Sequence, residues 1–282
     1  MQSSARIGGK LVILVLFAGI MAPEVLPADV TVTQLANAGV ILSDGGKNQV
    51  MIDGMVTEPY SLYGGLPENV VALYSKASGP FAGIDVALAS HQHHEHNQPV
   101  SACQFMQKST GTLLVSSQQV VDLMHEKCRQ FAVAGPRIKV IDPQYDQPEV
   151  VQVGDVKITA FRLSHGGGKY AVLQNFGFLV EIGGMRVLHV GDADMNAADF
   201  IRAGLHSADI DVVLLPFLYF EPGPGSDLVH TYIDAPHKIA NHIPPGEMAE
   251  IKEYMQGAYP DVLILENPMD QVTFSPTVSP TP

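Results

Sequence analysis

Short apolar runs separated by polar turn residues dominate the first half of the chain. Runs of this length are typical of buried strands, and several precede segments with apolar residues at helical spacing. The predicted strands are residues 30–32, 39–42, 48–52, 84–89, 112–115 and 138–141, and the predicted helices cover 101–108 and the segment after a cap at 116 or 117. Strands that alternate with helices predict an α/β architecture.

From residue 149 the pattern changes to strands paired through short turns. Gly154-Asp155 and Gly183-Gly184 are two-residue turn signals, each between a pair of apolar runs. The predicted elements of this half are strands 150–153, 156–163, 176–182, 185–190, 211–215 and 262–266, with an amphipathic helix at 247–255. Both halves of the chain therefore contain strands and helices.

Two stretches lack this regular pattern. Residues 55–80 show no clear periodicity and contain Tyr60 and Tyr63, so we expect a long loop that forms one wall of a pocket. Residues 273–282 are rich in Pro, Ser and Thr and are predicted to be a disordered tail. The folded domain is predicted to cover residues 29–272.

The N-terminus has the pattern of a signal peptide. Arg6 and Lys10 precede an apolar segment at 11–20 that is too short to span a bilayer comfortably. A cleavage position follows Ala28, so residues 1–28 are predicted to be removed and the mature protein to be periplasmic or secreted. An uncleaved membrane anchor is the alternative.

Composition narrows the choice of partners. The 282 residues carry a formal net charge of −13, so neither nucleic acid nor an anionic membrane surface is an expected partner. A small-molecule substrate is expected instead, without stable membrane association after cleavage. Cys103 and Cys128 are the two cysteines; in an exported protein they pair as a disulfide, or they are buried free thiols on apolar helical faces.

The main chemical signal is a histidine-rich loop at residues 90–99. Four of the eleven histidines, His91, His93, His94 and His96, fall within six residues, with Glu95 among them. The loop lies between a predicted strand and a helix start with Asn97 as cap, where open α/β sheets usually bind ligands. Imidazole and carboxylate groups are the usual ligands of zinc and similar metals. A solvated tract that binds metal only casually is the alternative.

The loop reads H-x-H-x-E-H and resembles the H-x-H-x-D-H signature of the metallo-β-lactamase-fold superfamily, with Glu95 in the usual Asp position. The resemblance implies an αββα sandwich with a metal site at the edge where two sheets meet. It also implies further site residues in family order, each at a predicted strand end: Asp53, His165, Asp192 and His242.

The resemblance implies two zinc ions per chain. The first would take His91, His93 and His165, the second Glu95, His96 and His242, and Asp192 would bridge them. Asp53 would orient a ligand imidazole, or is simply a turn residue. The remaining candidates, expected to point away, pack or lie in a loop, are His94, His189 and His237.

The implied function is an exported metal-dependent hydrolase of the lactonase or phosphodiesterase-like branches. A metal-bound hydroxide, held by Glu95 and Asp192 as the catalytic residues, would attack an ester, lactone, amide or phosphodiester. Lys169 and Tyr219 are weaker candidates for substrate contacts. The alternatives are a non-catalytic metal-binding protein, which the unusual Glu95 favours, and an iron-dependent redox branch of the same fold.

Overall fold

The structure, a computed structural model, describes residues 27–129, 135, 137–233 and 235–276. The predicted signal peptide lies outside the described residues except for Pro27 and Ala28, and so does most of the predicted tail. In the described ranges, every helix is too short or too polar to cross a membrane.

One sheet is formed by strands from the first half of the chain and one strand from its end. The strands are β1 (Val30–Gln34), β2 (Val40–Ser43), β3 (Gln49–Ile52), β4 (Val86–Leu88), β5 (Leu113–Ser116), β6 (Ile138–Val140) and β14 (Gln271–Phe274). Their order is β14-β1-β2-β3-β4-β5-β6. Pairing is antiparallel from β14 to β3 and parallel from β3 to β6.

The second sheet also has antiparallel strands followed by parallel ones, and it is formed by the strands that lie between β6 and β14 in the chain. They are β7 (Glu149–Val153), β8 (Val156–Arg162), β9 (Phe176–Ile182), β10 (Met185–His189), β11 (Val212–Pro216), β12 (His237–Asn241) and β13 (Val262–Ile264), in the order β13-β12-β11-β10-β9-β8-β7. Pairing is antiparallel from β7 to β10 and parallel from β10 to β13. The parallel strands bring several carboxyl ends to one edge of each sheet.

Helices cover the outer faces of both sheets. They are α1 (Glu68–Tyr74), α2 (Pro99–Lys108), α3 (Gln118–Lys127), α4 (Ala197–Arg202), α5 (Pro224–Tyr232) and α6 (Met248–Ala258). Ser117 caps α3, since its side chain accepts a hydrogen bond from the Val120 amide.

Three apolar clusters define the layers of the domain. One joins the inner faces of the two sheets, with Val86 from one and Phe178 from the other. A second packs Phe105 and the other apolar residues of α1–α3 on the first sheet, and a third packs Phe200 and those of α4–α6 on the second. The predicted αββα sandwich is confirmed.

The structure corrects several local predictions. Helix α1 lies within the stretch predicted as a loop, and α4 and α5 were not predicted. Helix α2 begins at Pro99 with Gln98, rather than Asn97, in the cap position. Strand β14 crosses the predicted start of the tail: Thr273 pairs with Thr31, and their hydroxyls lie 2.9 Å apart. Without β14, the backbone groups along one edge of β1 would be unpaired. The hydrogen bonds to β14 therefore order this segment despite its tail-like composition.

Of the two alternatives for the cysteines, the structure has the free thiols. Cys103 lies on α2 and Cys128 follows the end of α3. Burial raises the pKa of the Cys103 thiol, and its hydrogen bond with Cys128 raises that pKa further. The two thiols therefore form a contact between α2 and the end of α3, with Cys103 buried and Cys128 partly exposed.

Candidate metal centre

The seven predicted ligands converge at the edge where the two sheets meet. The histidine-rich loop follows β4 of the first sheet, and Asp53 follows β3. From the second sheet, His165 follows β8, Asp192 follows β10 and His242 follows β12. The carboxyl ends of strands from both sheets thus supply the site.

The first group consists of His91, His93, His165 and Asp192, whose ligand atoms lie within 4.8 Å of one another. His165 Nε2 is 3.2 Å from His91 Nε2 and 3.1 Å from His93 Nδ1. Nitrogens that share one tetrahedral zinc at ordinary bond lengths lie about 3.3 Å apart. These three imidazoles therefore fit a single ion.

The second group consists of Glu95, His96, Asp192 and His242, within the same limit of 4.8 Å. His96 Nε2 and His242 Nε2 are 3.0 Å apart. Two imidazole nitrogens and two carboxylates suit a divalent cation. His93 Nδ1 lies 3.8 Å from Glu95 Oε1, so the Glu95 carboxylate lies close to the first group as well.

Asp192 lies between the groups, and each of its oxygens faces one of them. Its Oδ2 is 3.9 Å from His91 Nε2 and 3.6 Å from His165 Nε2. Its Oδ1 is 3.2 Å from His96 Nε2 and 3.6 Å from His242 Nε2. Oδ1 is buried without a hydrogen-bond partner among the described residues, as expected for an atom meant to bind a cation.

Asp53 holds one of these imidazoles in place. It is fully buried; its Oδ2 lies 2.8 Å from His96 Nδ1, and it accepts hydrogen bonds from the Ser90 amide (2.7 Å) and hydroxyl (2.6 Å). This fixes the His96 ring with Nε2 towards the centre, in the arrangement that a carboxylate partner usually imposes on a metal-binding histidine. In the structure Asp53 thus contacts an imidazole of the second group.

Two site residues have backbone conformations that residues other than glycine rarely adopt. Asp53 has φ of 49° and His242 has φ of 58°, both in the left-handed region. Such conformations cost about 1–3 kcal/mol and cluster at functional sites. The surrounding fold therefore holds both side chains at the strand ends against a local preference.

Burial sets the protonation of most histidines here. Burial lowers the pKa of His91 well below its usual range, and the neighbouring His96 lowers it further. Burial also lowers the pKa of His93, and it lowers that of His242 to about 4. These rings are neutral, which is the form that binds metal.

Asp192 and His96 behave differently because they face opposite charge. Burial alone would raise the pKa of Asp192, but His96 and His242 outweigh it and hold that pKa well below its usual range. Burial would lower the pKa of His96, but Asp192 and Asp53 outweigh it and raise that pKa. A cation bound beside His96 would displace its proton.

Sequence reasoning missed the residues that aim Asp192. Gly191 has φ of 60°, and a Cβ there would clash with Asn175 Oδ1 and lie 2.8 Å from Ser90 Cβ. Asn175 Oδ1 accepts a hydrogen bond from the Asp192 amide at 3.0 Å. The glycine directly before Asp192 was the one visible signal, because only glycine fits this close approach.

His94 and His189 lie as expected, whereas His237, expected in a loop, is the first residue of β12. His94 is exposed and contacts Tyr60, with ring centroids 4.8 Å apart. His189 is buried, with Nε2 2.9 Å from the Ala38 carbonyl oxygen. His237 packs against Phe274, away from the two ligand groups.

Aromatic rings surround the ligand groups. Tyr63, on the 55–80 stretch predicted to form a pocket wall, packs on His242 with ring centroids 4.4 Å apart. Tyr170 stacks on His165 at 5.3 Å, and Lys169 Nζ lies 4.8 Å from the Tyr170 ring centre. Tyr219 lines the neighbouring cleft, but its buried hydroxyl donates to the Ala193 carbonyl, which makes it a structural residue.

Comparison with known proteins gives the family of the chain. A model of the β-lactamase superfamily domain matches residues 31–219. A UPF0173 metal-dependent hydrolase of Pyrococcus furiosus is 27% identical over 187 residues, which cover 66% of this chain and 72% of that protein.

Solved structures share the fold at low sequence identity. Igni18, a metallo hydrolase of Ignicoccus hospitalis, has a TM-score of 0.58 at 16% identity, covering 88% of this chain and 99% of that one. CmlA, a diiron β-hydroxylase from Streptomyces venezuelae, has a TM-score of 0.57 at 13% identity, covering 88% and 54%. The chain therefore belongs to the β-lactamase superfamily, and its interpretation as a metal-dependent hydrolase of that superfamily is confirmed.

Proposed function

We propose that this hydrolase holds two zinc ions and cleaves an ester, lactone, amide or phosphodiester bond of a small molecule. The observation that carries the proposal is the position of Asp192, whose two oxygens each face one group of imidazoles. A carboxylate placed in this way offsets the mutual repulsion of two cations.

The bound ions would lower the pKa of water towards neutrality and stabilise charge on the reacting oxygen. The protein residues hold the geometry for this chemistry. His91, His93 and His165 would hold one ion, and Glu95, with the two histidines His96 and His242, would hold the other. Asp53 fixes the orientation of His96, so the ligand nitrogens are in position before substrate binds.

The test combines metal analysis with activity assays. Protein purified without added metal is analysed for bound metals and assayed with chromogenic esters, lactones, amides and bis-phosphodiesters. We expect about two zinc ions per chain and hydrolysis of at least one class. Asp192→Asn should lose at least one ion and activity, whereas Asp155→Asn, an exposed turn residue, should change neither. Full metal content in Asp192→Asn would contradict the proposal.

An iron-dependent redox activity is the second candidate. It is supported by the two carboxylates of the second group, Glu95 and Asp192, and by the shared fold of the diiron β-hydroxylase. Iron rather than zinc in protein from cells grown with both metals, together with oxygen consumption in the presence of a reductant, would favour this candidate over hydrolysis.

We also propose export with cleavage after Ala28, which rests on the charged start and short apolar segment of residues 1–28. N-terminal sequencing of protein from the periplasm or culture medium tests it, with Asp29 as the expected first residue. A first residue of Met1 in that material would refute cleavage.

A further inference from the structure

A cleft of about 220 Å³ opens directly onto the candidate metal centre. Its lining includes ligand residues of both groups, His165, Asp192 and His242. Met195, Pro216 and Leu218 belong to the same lining and form its apolar wall. A molecule in this cleft would contact the ligand groups and the apolar wall together.

Leu218 is the accessible part of the apolar wall. Its side chain is 43% exposed although its neighbours Tyr219 and Phe220 are buried. An exposed large apolar residue gains little by itself, but beside a reaction centre it offers area that a substrate can bury.

The cleft lacks cationic side chains among its described lining residues. Apart from the metal-ligand residues, the charged side chain that lines it is Asp194, and none of the described lining residues is Lys or Arg. Two basic side chains nearby are engaged elsewhere: Lys169 lies over the Tyr170 ring, and Arg202 lies 3.4 Å from Asp199. An anionic group that lies beside Asp194, away from the two ligand groups, would find no cationic side chain in the lining to pair with.

The volume limits what fits. About 220 Å³ is below the ~300 Å³ lower bound of drug-sized sites. A short acyl chain and a carbonyl fill this space, whereas a long fatty chain would extend into solvent.

We infer that the substrate is a small, uncharged ester or lactone whose short apolar acyl group lies on Met195, Pro216 and Leu218. This inference rests on the proposed hydrolase function and narrows it. In the reaction the water oxygen forms a bond to the acyl carbon and the acyl C–O bond breaks. An ester gives a carboxylate, an alcohol and a proton, and a lactone gives one hydroxycarboxylate and a proton, with no oxidation or reduction.

The first test uses esters with the same scissile bond. p-Nitrophenyl acetate, butyrate and octanoate vary the chain length, and mono-p-nitrophenyl succinate matches butyrate in length but ends in a carboxylate. We expect kcat/KM to rise about fourfold for each methylene from acetate to butyrate, with little further gain at octanoate. The succinate ester should be about tenfold poorer than butyrate, as one uncompensated charge would produce.

Two variants locate the effect. Asp194→Asn removes the charge but keeps an oxygen that accepts a hydrogen bond from the Met195 amide. This variant should therefore bring kcat/KM for the succinate ester closer to kcat/KM for the butyrate ester. Leu218→Ser should lower kcat/KM for butyrate several-fold more than for acetate. Leu73→Ser, an exposed leucine on α1 outside the cleft, should leave this ratio unchanged.

A binding measurement complements the kinetics. In methyl spectra of methionine-labelled protein, the Met195 signal, assigned with Met195→Leu, should shift with butyramide and not with succinamate. Equal kcat/KM for the butyrate and succinate esters, with Asp194→Asn without effect, would overturn the inference while hydrolysis stands. A preference for bis-p-nitrophenyl phosphate over every ester would also overturn it. Failure of zinc-loaded protein to hydrolyse any substrate would instead refute the proposed function.

Discussion

The two ligand groups differ in what holds them in place. In the first, the His93 side chain is 27% exposed, and His165 precedes three consecutive glycines. In the second, His96 is fully buried and fixed by Asp53, but the group includes Glu95, whose side chain is longer than the usual Asp. The first group has three imidazoles, of which His91 is buried and His93 partly exposed, and the second has a buried, fixed imidazole with an unusual carboxylate. Ligand type and ligand orientation are therefore separable contributions to metal affinity.

Removing the first group should have the largest effect. The His91→Ala, His93→Ala double variant should lose metal and reduce activity by more than about 100-fold, beyond the loss typical of a supporting residue. The fold should persist, because both histidines lie outside the three apolar clusters. Metal analysis and thermal unfolding measure the two effects, with His94→Ala as the exposed control. Full metal content in the double variant would contradict the assignment.

Removing the support of the second group should have a smaller effect. Asp53→Asn keeps the shape of the side chain but lowers its ability to orient His96, so affinity for the second ion should fall about 10–100-fold. Asp85→Asn is the matched control, since Asp85 accepts from the Gln49 amide at the other end of the same strand pair. Zinc titration of both variants measures the affinity for the second ion. Equal affinities in Asp53→Asn and Asp85→Asn would mean that His96 needs no support from Asp53.

A substitution of Glu95 tests the contribution of ligand type to metal affinity. The extra methylene of Glu95 displaces the carboxylate by about 1.5 Å relative to Asp, whereas metal sites tolerate errors of about 0.2 Å. We expect one tight and one weaker step in a zinc titration, and Glu95→Asp should tighten the weaker step by about tenfold. If both sites are equally tight and Glu95→Asp weakens one, the loop is fitted to Glu.

The glycines after His165 should give the smallest effect. Gly166 has φ of 87°, so Gly166→Ala should cost about 1–2 kcal/mol of backbone strain although nothing lies within 4 Å of the added Cβ. Gly167 has φ of −93° and equal space, so Gly167→Ala serves as control. The first zinc step should weaken by less than about tenfold in Gly166→Ala alone. An equal effect in both variants would assign it to the methyl group and not to strain.

The sequence predicted what depends on short-range pattern. The four loop ligands stand in a compact motif, whereas His165, Asp192 and His242 were implied by the resemblance to the family's order; the structure brings all seven together. It did not predict the contact of Asn175 with the Asp192 amide, which joins residues 17 positions apart. Strand β14 was missed for the same reason: its partner β1 lies at the other end of the chain, and no local pattern in the Thr-rich segment reveals it.

Each ion would draw ligands from both sheets, and this determines when the centre can form. His96 and His242 are 146 positions apart, and His91 and His165 are 74 apart. A chain emerging from the ribosome has the histidine-rich loop long before it has Asp192 or His242, so early in synthesis it can offer only a partial and weak set of ligands. Complete metal uptake must therefore follow the docking of the two halves. Under the proposed export, the ions would be acquired where folding ends, from the metal pool outside the cytoplasm.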